Sequence, residues 1–132
     1  MEKVIRIYLI IISLIVVFFI LGIFIFRPVP IVEEKDAITV TGIVVGVFEG
    51  GVNDVFFKLR GDNVRYYVNR GTELGLNVDS LKRKLVGNQV VFKYPDYWTP
   101  LDWNNKIRHL SKVEFNNEVL FNELRGSKQM KQ

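Results

Sequence analysis

Few side chains in this sequence are equipped for catalysis. His109 is the only histidine, and there is no cysteine. A nucleophile needs a base in contact with it, and Ser111 lies two residues from His109, on the same face of an extended chain. No further group nearby in the sequence orients the imidazole, and no G-x-S-x-G elbow surrounds Ser111. His109 therefore reads as structural. Asp96 and Asp102 are close enough to divide acid and base roles. Both stand among prolines and asparagines, where aspartate more often bonds its own backbone in a turn. Asp54, Asp62 and Asp79 read the same way, as turn or cap residues. No HExxH motif, cysteine pair or histidine cluster offers zinc a site, and neither "EGGVND" nor "NRGTELG" has a phosphate-cradling spacing. The expectation is a protein with no catalytic residue, no metal and no cofactor.

Binding chemistry is better represented. The stretch "KYPDYWTPLDWNNKIRHL", 93–110, contains both tryptophans and two of the five tyrosines. Its prolines and aspartates suit an ordered loop, in which one tryptophan is expected to fold down as a lid and the other to stay exposed with Tyr97. Upstream, "DVFFKLRGDN" alternates, with Val55, Phe57 and Leu59 on one face and Lys58 and Arg60 on the other. In "VRYYVNRG", Val64, Tyr66 and Val68 oppose Arg65, Tyr67 and Asn69. Aromatics interleaved with cations bind extended anionic chains well. The candidate ligand-binding residues are Lys58, Arg60, Arg65, Tyr67, Tyr97, Trp98 and Trp103.

These residues need a framework, and residues 37–124 provide one. "ITVTGIVVGVFE" is a long strand whose Gly42 and Gly46 mark a bulge or sharp coil. A hairpin turning at "GDN" follows it. "GLNVDSLKRKLVGN" is one short helix, with Asp79 as the capping candidate and Gly87 at its C-terminal end. Its Lys82, Arg83 and Lys84 occupy three successive positions, which spreads them around a solvated surface. "QVVFKYP" returns to strand alternation, and the last segment is a hairpin about Asn116–Asn117. Residues 125–132 form a polar tail. Residues 37–132 hold 14 Lys and Arg against 10 Asp and Glu, a mildly basic balance that by itself specifies no partner.

This order of elements resembles the OB-fold, a Greek-key barrel with a helix between its third and fourth strands. The resemblance implies a mainly β fold, a small five- to six-stranded barrel with one short helix. It also implies a ligand face on strands 2 and 3, flanked by the loops joining strands 1–2 and 4–5. An anchored OB domain is further similar in architecture to the haem chaperone of cytochrome c maturation. That family carries haem on a histidine followed four residues later by tyrosine; here Val113 holds the tyrosine position after His109, so haem carriage is not expected.

Ahead of the domain, Ile7–Phe26 is twenty residues without a charge. As a helix it spans roughly 30 Å, the thickness of a bilayer core. It is longer than a signal-peptide core and ends in "FRPVP", without a small-residue cleavage site. Residues 1–27 therefore read as a transmembrane anchor contacting lipid through residues 7–26, and 28–36 as a short proline-containing linker. Lys3 and Arg6 precede the helix, which favours a cytoplasmic N-terminus. The expected protein is a non-enzymatic, single-pass cell-membrane protein of bacterial type. Its extracytoplasmic (periplasmic) domain binds a protein partner or an envelope component. The alternative is a nucleic-acid-binding OB domain held at the cytoplasmic face; nucleic acid is the less expected partner, because a translocated domain meets little of it.

Overall fold

The computed structural model describes residues 1–126, so the expected tail from residue 127 onward lies outside the described residues. The chain forms two compact units. The first combines Met1–Pro28 with Trp98–Trp103, and the second combines Val29–Tyr97 with 104–126.

In the first unit, helix α1 spans Glu2–Ile25 and buries none of its residues. It is long and apolar enough to cross a membrane. A helix apolar on every side has no stripe to turn toward a protein core, and lipid is the solvent that suits it.

The second unit is mainly β, with strands β1 (Ala37–Gly50), β2 (Asp54–Leu59), β3 (Arg65–Val68), β4 (Gln89–Pro95), β5 (Ile107–His109), β6 (Lys112–Phe115) and β7 (Glu118–Asn122), and the short helix α2 (Val78–Leu85) between β3 and β4. They form one seven-stranded mixed sheet in the order β5-β3-β2-β1-β4-β6-β7. The expected barrel of five or six strands is corrected here: there are seven, and the sheet does not close. The reason lies at Leu110–Ser111. Leu110 N–H donates to Tyr67 O on β3 (2.7 Å), while Ser111 N–H donates to Lys93 O on β4 (2.8 Å). The chain changes partner there, splitting one long strand into β5, parallel to β3, and β6, antiparallel to β4. β7 then adds an outer edge through the expected hairpin, with Asn116 and Asn117 at φ 51° and 63°. Asparagine tolerates this left-handed geometry, which a two-residue hairpin turn requires.

β1 pairs with β4 along Ala37–Ile43 and with β2 along Val44–Gly50, with a register shift between Val44 and Gly46. This is the irregularity the strand glycines anticipate. Its effect is to turn both Val44 and Val47 inward. They join Val55, Phe57, Tyr66, Val90 and Phe92 in the core, closed by Leu81 and Leu85 of α2. Phe57 and Tyr66 meet Phe92 at 5.3 and 5.4 Å between ring centroids. The buried Tyr66 hydroxyl donates to Asp62 Oδ2 at 2.7 Å. Burial, and then the Asp62 carboxylate, push that phenol well above its ordinary range. The cap of α2 is Asn77, whose side chain accepts from Ser80 N–H at 2.8 Å, not Asp79. Gly87 follows the helix at φ 86°, as its position in the sequence implies.

The later part of the linker is fastened to the domain. Glu34 Oε1 accepts from Lys93 Nζ at 2.5 Å and Lys112 Nζ at 3.0 Å, and Arg125 N–H donates to Val32 O at 2.9 Å. Lys112 is buried; burial disfavours its charge, but Glu114 and Glu34 outweigh that and hold its amine above the usual range.

Candidate binding face

Alternation along β2 and β3 decides which side chains leave the core. Val55, Phe57 and Leu59 on β2, with Tyr66 and Val68 on β3, are buried. Phe56 and Lys58, with Arg65 and Tyr67, therefore share the opposite face. The register places them in rows. Lys58 stands directly opposite Arg65, with Gly46 of β1 on one side and Ile107 of β5 on the other. The adjacent row runs across four strands: Phe48 opposite Phe56, Phe56 opposite Tyr67, and Tyr67 opposite His109.

The aromatic row is stacked. Phe48 and Phe56 lie 5.7 Å apart and nearly parallel, at 4°, and Phe56 and Tyr67 lie 5.5 Å apart at 24°. Tyr67 then meets His109 edge-on at 5.3 Å. Gly50 lets the Phe56 ring lie flat, because a Cβ at that position would come within 2.9 Å of Cε2. Phe48, at 42% exposed, is the open end of the row. Such pairs contribute roughly 0.5–1.5 kcal/mol each beyond their buried area, and they hold a flat apolar platform in place.

The cationic row has the opposite energetics. Like charges facing each other across a strand pair disfavour folding. Lys58, Arg60 and Arg65 are all exposed, and none forms an ion pair with a described residue. The positive charge of this row is thus left open to an anionic partner beside the aromatic platform.

The closed end of the aromatic row holds polar groups. Burial first, then the neighbouring Tyr97 and Asp54, push the Tyr67 phenol up to about 12, and a hydrogen bond links it to Tyr97. Tyr67 is therefore neutral at physiological pH and acts by stacking and hydrogen bonding. His109 is buried, and its Nε2 pairs with Glu123 Oε1. Its Nδ1 is also buried and has no hydrogen-bond partner among the described residues. Tyr97 is held from its backbone too, as Arg108 Nη1 donates to Tyr97 O at 3.1 Å.

The structure thus brings Lys58, Arg65 and Tyr67 together on one face, with Tyr97 against Tyr67 and Arg60 exposed just beyond the end of β2. Trp98 and Trp103 belong to the other unit. Both are exposed, packed edge to face at 5.6 Å and 72°, where one of the two was expected to be covered. Among the described residues there is no group of three histidine, cysteine, aspartate or glutamate side chains placed to hold a metal. Phe48 and Phe56 are the members of the face absent from the sequence-based set. Simple alternation with Lys58 would have found Phe56. Phe48 needed the β1 register.

Comparison with known protein families, curated proteins and solved structures found no match.

Proposed function

We propose that this chain is a non-enzymatic, single-pass membrane protein with a cytoplasmic N-terminus. Its extracytoplasmic domain binds a protein partner or an envelope component on the outer face of β1, β2 and β3. The observation that carries this reading is the pair of adjacent rows. An unneutralised Lys58–Arg65 pair with Arg60 lies beside the stacked Phe48, Phe56 and Tyr67. A partner bearing carboxylates or phosphates relieves the repulsion in the first row, and the second supplies rigid apolar contact area. Arginine and tyrosine are the residues that most often dominate binding energy at such surfaces. The domain keeps part of the OB-like pairing order although its sheet does not close. β1 pairs with both β2 and β4, and the β5–β6 segment pairs with both β3 and β4, its ladder interrupted only at Leu110–Ser111.

The full-length protein, captured from native membranes, is expected to retain a partner that Lys58→Glu/Arg65→Glu loses while its β-sheet circular dichroism is preserved. An unchanged partner set would refute the assigned face. The second reading, a nucleic-acid-binding domain at the cytoplasmic surface, draws on the same aromatic and basic rows. It is distinguished by a C-terminal topology reporter active in the cytoplasm, together with binding of single-stranded oligonucleotides that weakens steeply with salt.

A further inference from the structure

The segment Trp98–Trp103 belongs to the first unit and has its own chemistry. Three of its six residues are large, apolar and exposed: Trp98 at 48%, Leu101 at 71% and Trp103 at 77%. Its single charged residue, Asp102, is buried. The segment is ordered. Pro100 opens a 3-10 turn over Pro100–Asp102, Thr99 Oγ1 accepts from Leu101 N–H at 3.3 Å, and Asp102 N–H donates to Thr99 O at 3.1 Å. The edge-to-face tryptophan pair makes the tip one continuous apolar surface.

What borders this surface is given by its own unit. The 3-10 turn packs against α1. Along α1 every residue is exposed except Gly22 and Ile25, which are partly covered and lie one turn apart near its C-terminal end. A bilayer that surrounds α1 continues to whatever lies beside that end. Just beyond it, Arg27 is exposed, suitably charged for headgroup phosphates. Tryptophan favours this depth, because its ring is apolar while its indole N–H can stay hydrated.

We propose that the Trp98–Trp103 loop is a second membrane contact, with both indoles and Leu101 seated in the headgroup–acyl boundary where α1 leaves the bilayer. The proposal rests on the reading of α1 as a membrane span.

The test is direct because the chain's two tryptophans both lie in this loop, so its tryptophan emission reports on the loop alone. The full-length protein is reconstituted at less than one copy per phosphatidylcholine–phosphatidylglycerol vesicle, as parent and as the single-tryptophan variants Trp98→Phe and Trp103→Phe. Lipids spin-labelled at graded acyl depths are compared with aqueous iodide as quenchers. The expected result is blue-shifted emission from both variants, quenched most by labels near the headgroup and several-fold less by iodide than a free indole is. Water-like emission quenched by iodide and not by lipid labels would overturn the proposal. So would protection from both quenchers, which would mean that protein covers the loop. Alkaline extraction of the same vesicles separates the two readings. Release of the protein removes the span and the loop contact together, whereas retention with water-exposed tryptophans removes the loop contact alone.

Discussion

Glu34 makes an acid-sensitive clasp between the linker and the sheet. Its Oε1 bridges Lys93 Nζ at 2.5 Å and Lys112 Nζ at 3.0 Å. The hydrogen bond from Lys93, followed by that from Lys112, lowers its carboxyl from an ordinary 4.5 to about 2. A folded-state pKa below the unfolded one stabilises the fold at pH values above the unfolded pKa. The contribution is complete above about 4.5 and is lost as pH falls through about 2. At ~1.4 kcal/mol per tenfold change in proton affinity, the shift sets a ceiling of roughly 3 kcal/mol. The Glu34 side chain is 54% exposed, so solvent screening brings the expected value to about 1 kcal/mol. Glu34→Gln should therefore lose about 1 kcal/mol at pH 7 and nothing near pH 2. Urea unfolding of the full chain in detergent micelles, followed by circular dichroism across that range, reads the difference between variant and parent. In a Lys93→Met background the same substitution should lose less, because one of its two partners is gone. A gap that stays constant with pH, or no gap at pH 7, would refute the clasp.

Three further outcomes follow from contacts elsewhere in the domain. Lys58→Glu replaces a like-charge pair opposite Arg65 with an attractive one. It should raise stability by about 0.5 kcal/mol in urea titration while abolishing partner capture, a separation of stability from binding that a purely structural face would not produce. Gly71→Ala would place a Cβ 2.7 Å from Cγ2 of the fully buried, β-branched Val55, and should cost about 1–3 kcal/mol, read as a lowered Tm. Asn77→Ala removes the cap of α2 and should cost about 1 kcal/mol, with Asn77→Asp restoring most of it; a loss from Asp79→Ala instead would contradict the cap assignment.

How far each element could be read in advance depended on how local its cause was. The span of α1 follows from composition alone, since a charge-free run of bilayer length needs no tertiary information. The inward set Val55, Phe57 and Leu59, and with it the outward position of Lys58, follows from period-two alternation. The Asn116–Asn117 turn is specified by two residues that tolerate positive φ. The features that escaped depend on distant pairing. Phe48 joins Phe56 only because β1 shifts register between Val44 and Gly46, which no alternation rule fixes in number. The partner switch at Leu110–Ser111, which leaves the sheet unclosed, is set by where β3 and β4 end. Asp79 looked like a cap because it precedes the leucine pair, but the chain enters the helix two residues earlier, at Asn77. The two tryptophans were expected to divide between core and solvent. Both indoles are exposed instead, and their segment groups with α1, not with the sheet domain.

The β1–β2–β3 face is the proposed binding surface of this domain. Photo-crosslinking residues placed singly at Phe56, Lys58 and Arg65 of the full-length protein test it most directly, with exposed Lys82 on α2 as the comparison. A discrete adduct is expected from the three sheet positions and none from position 82. Adducts from position 82 alone, or from none of the four, would contradict it.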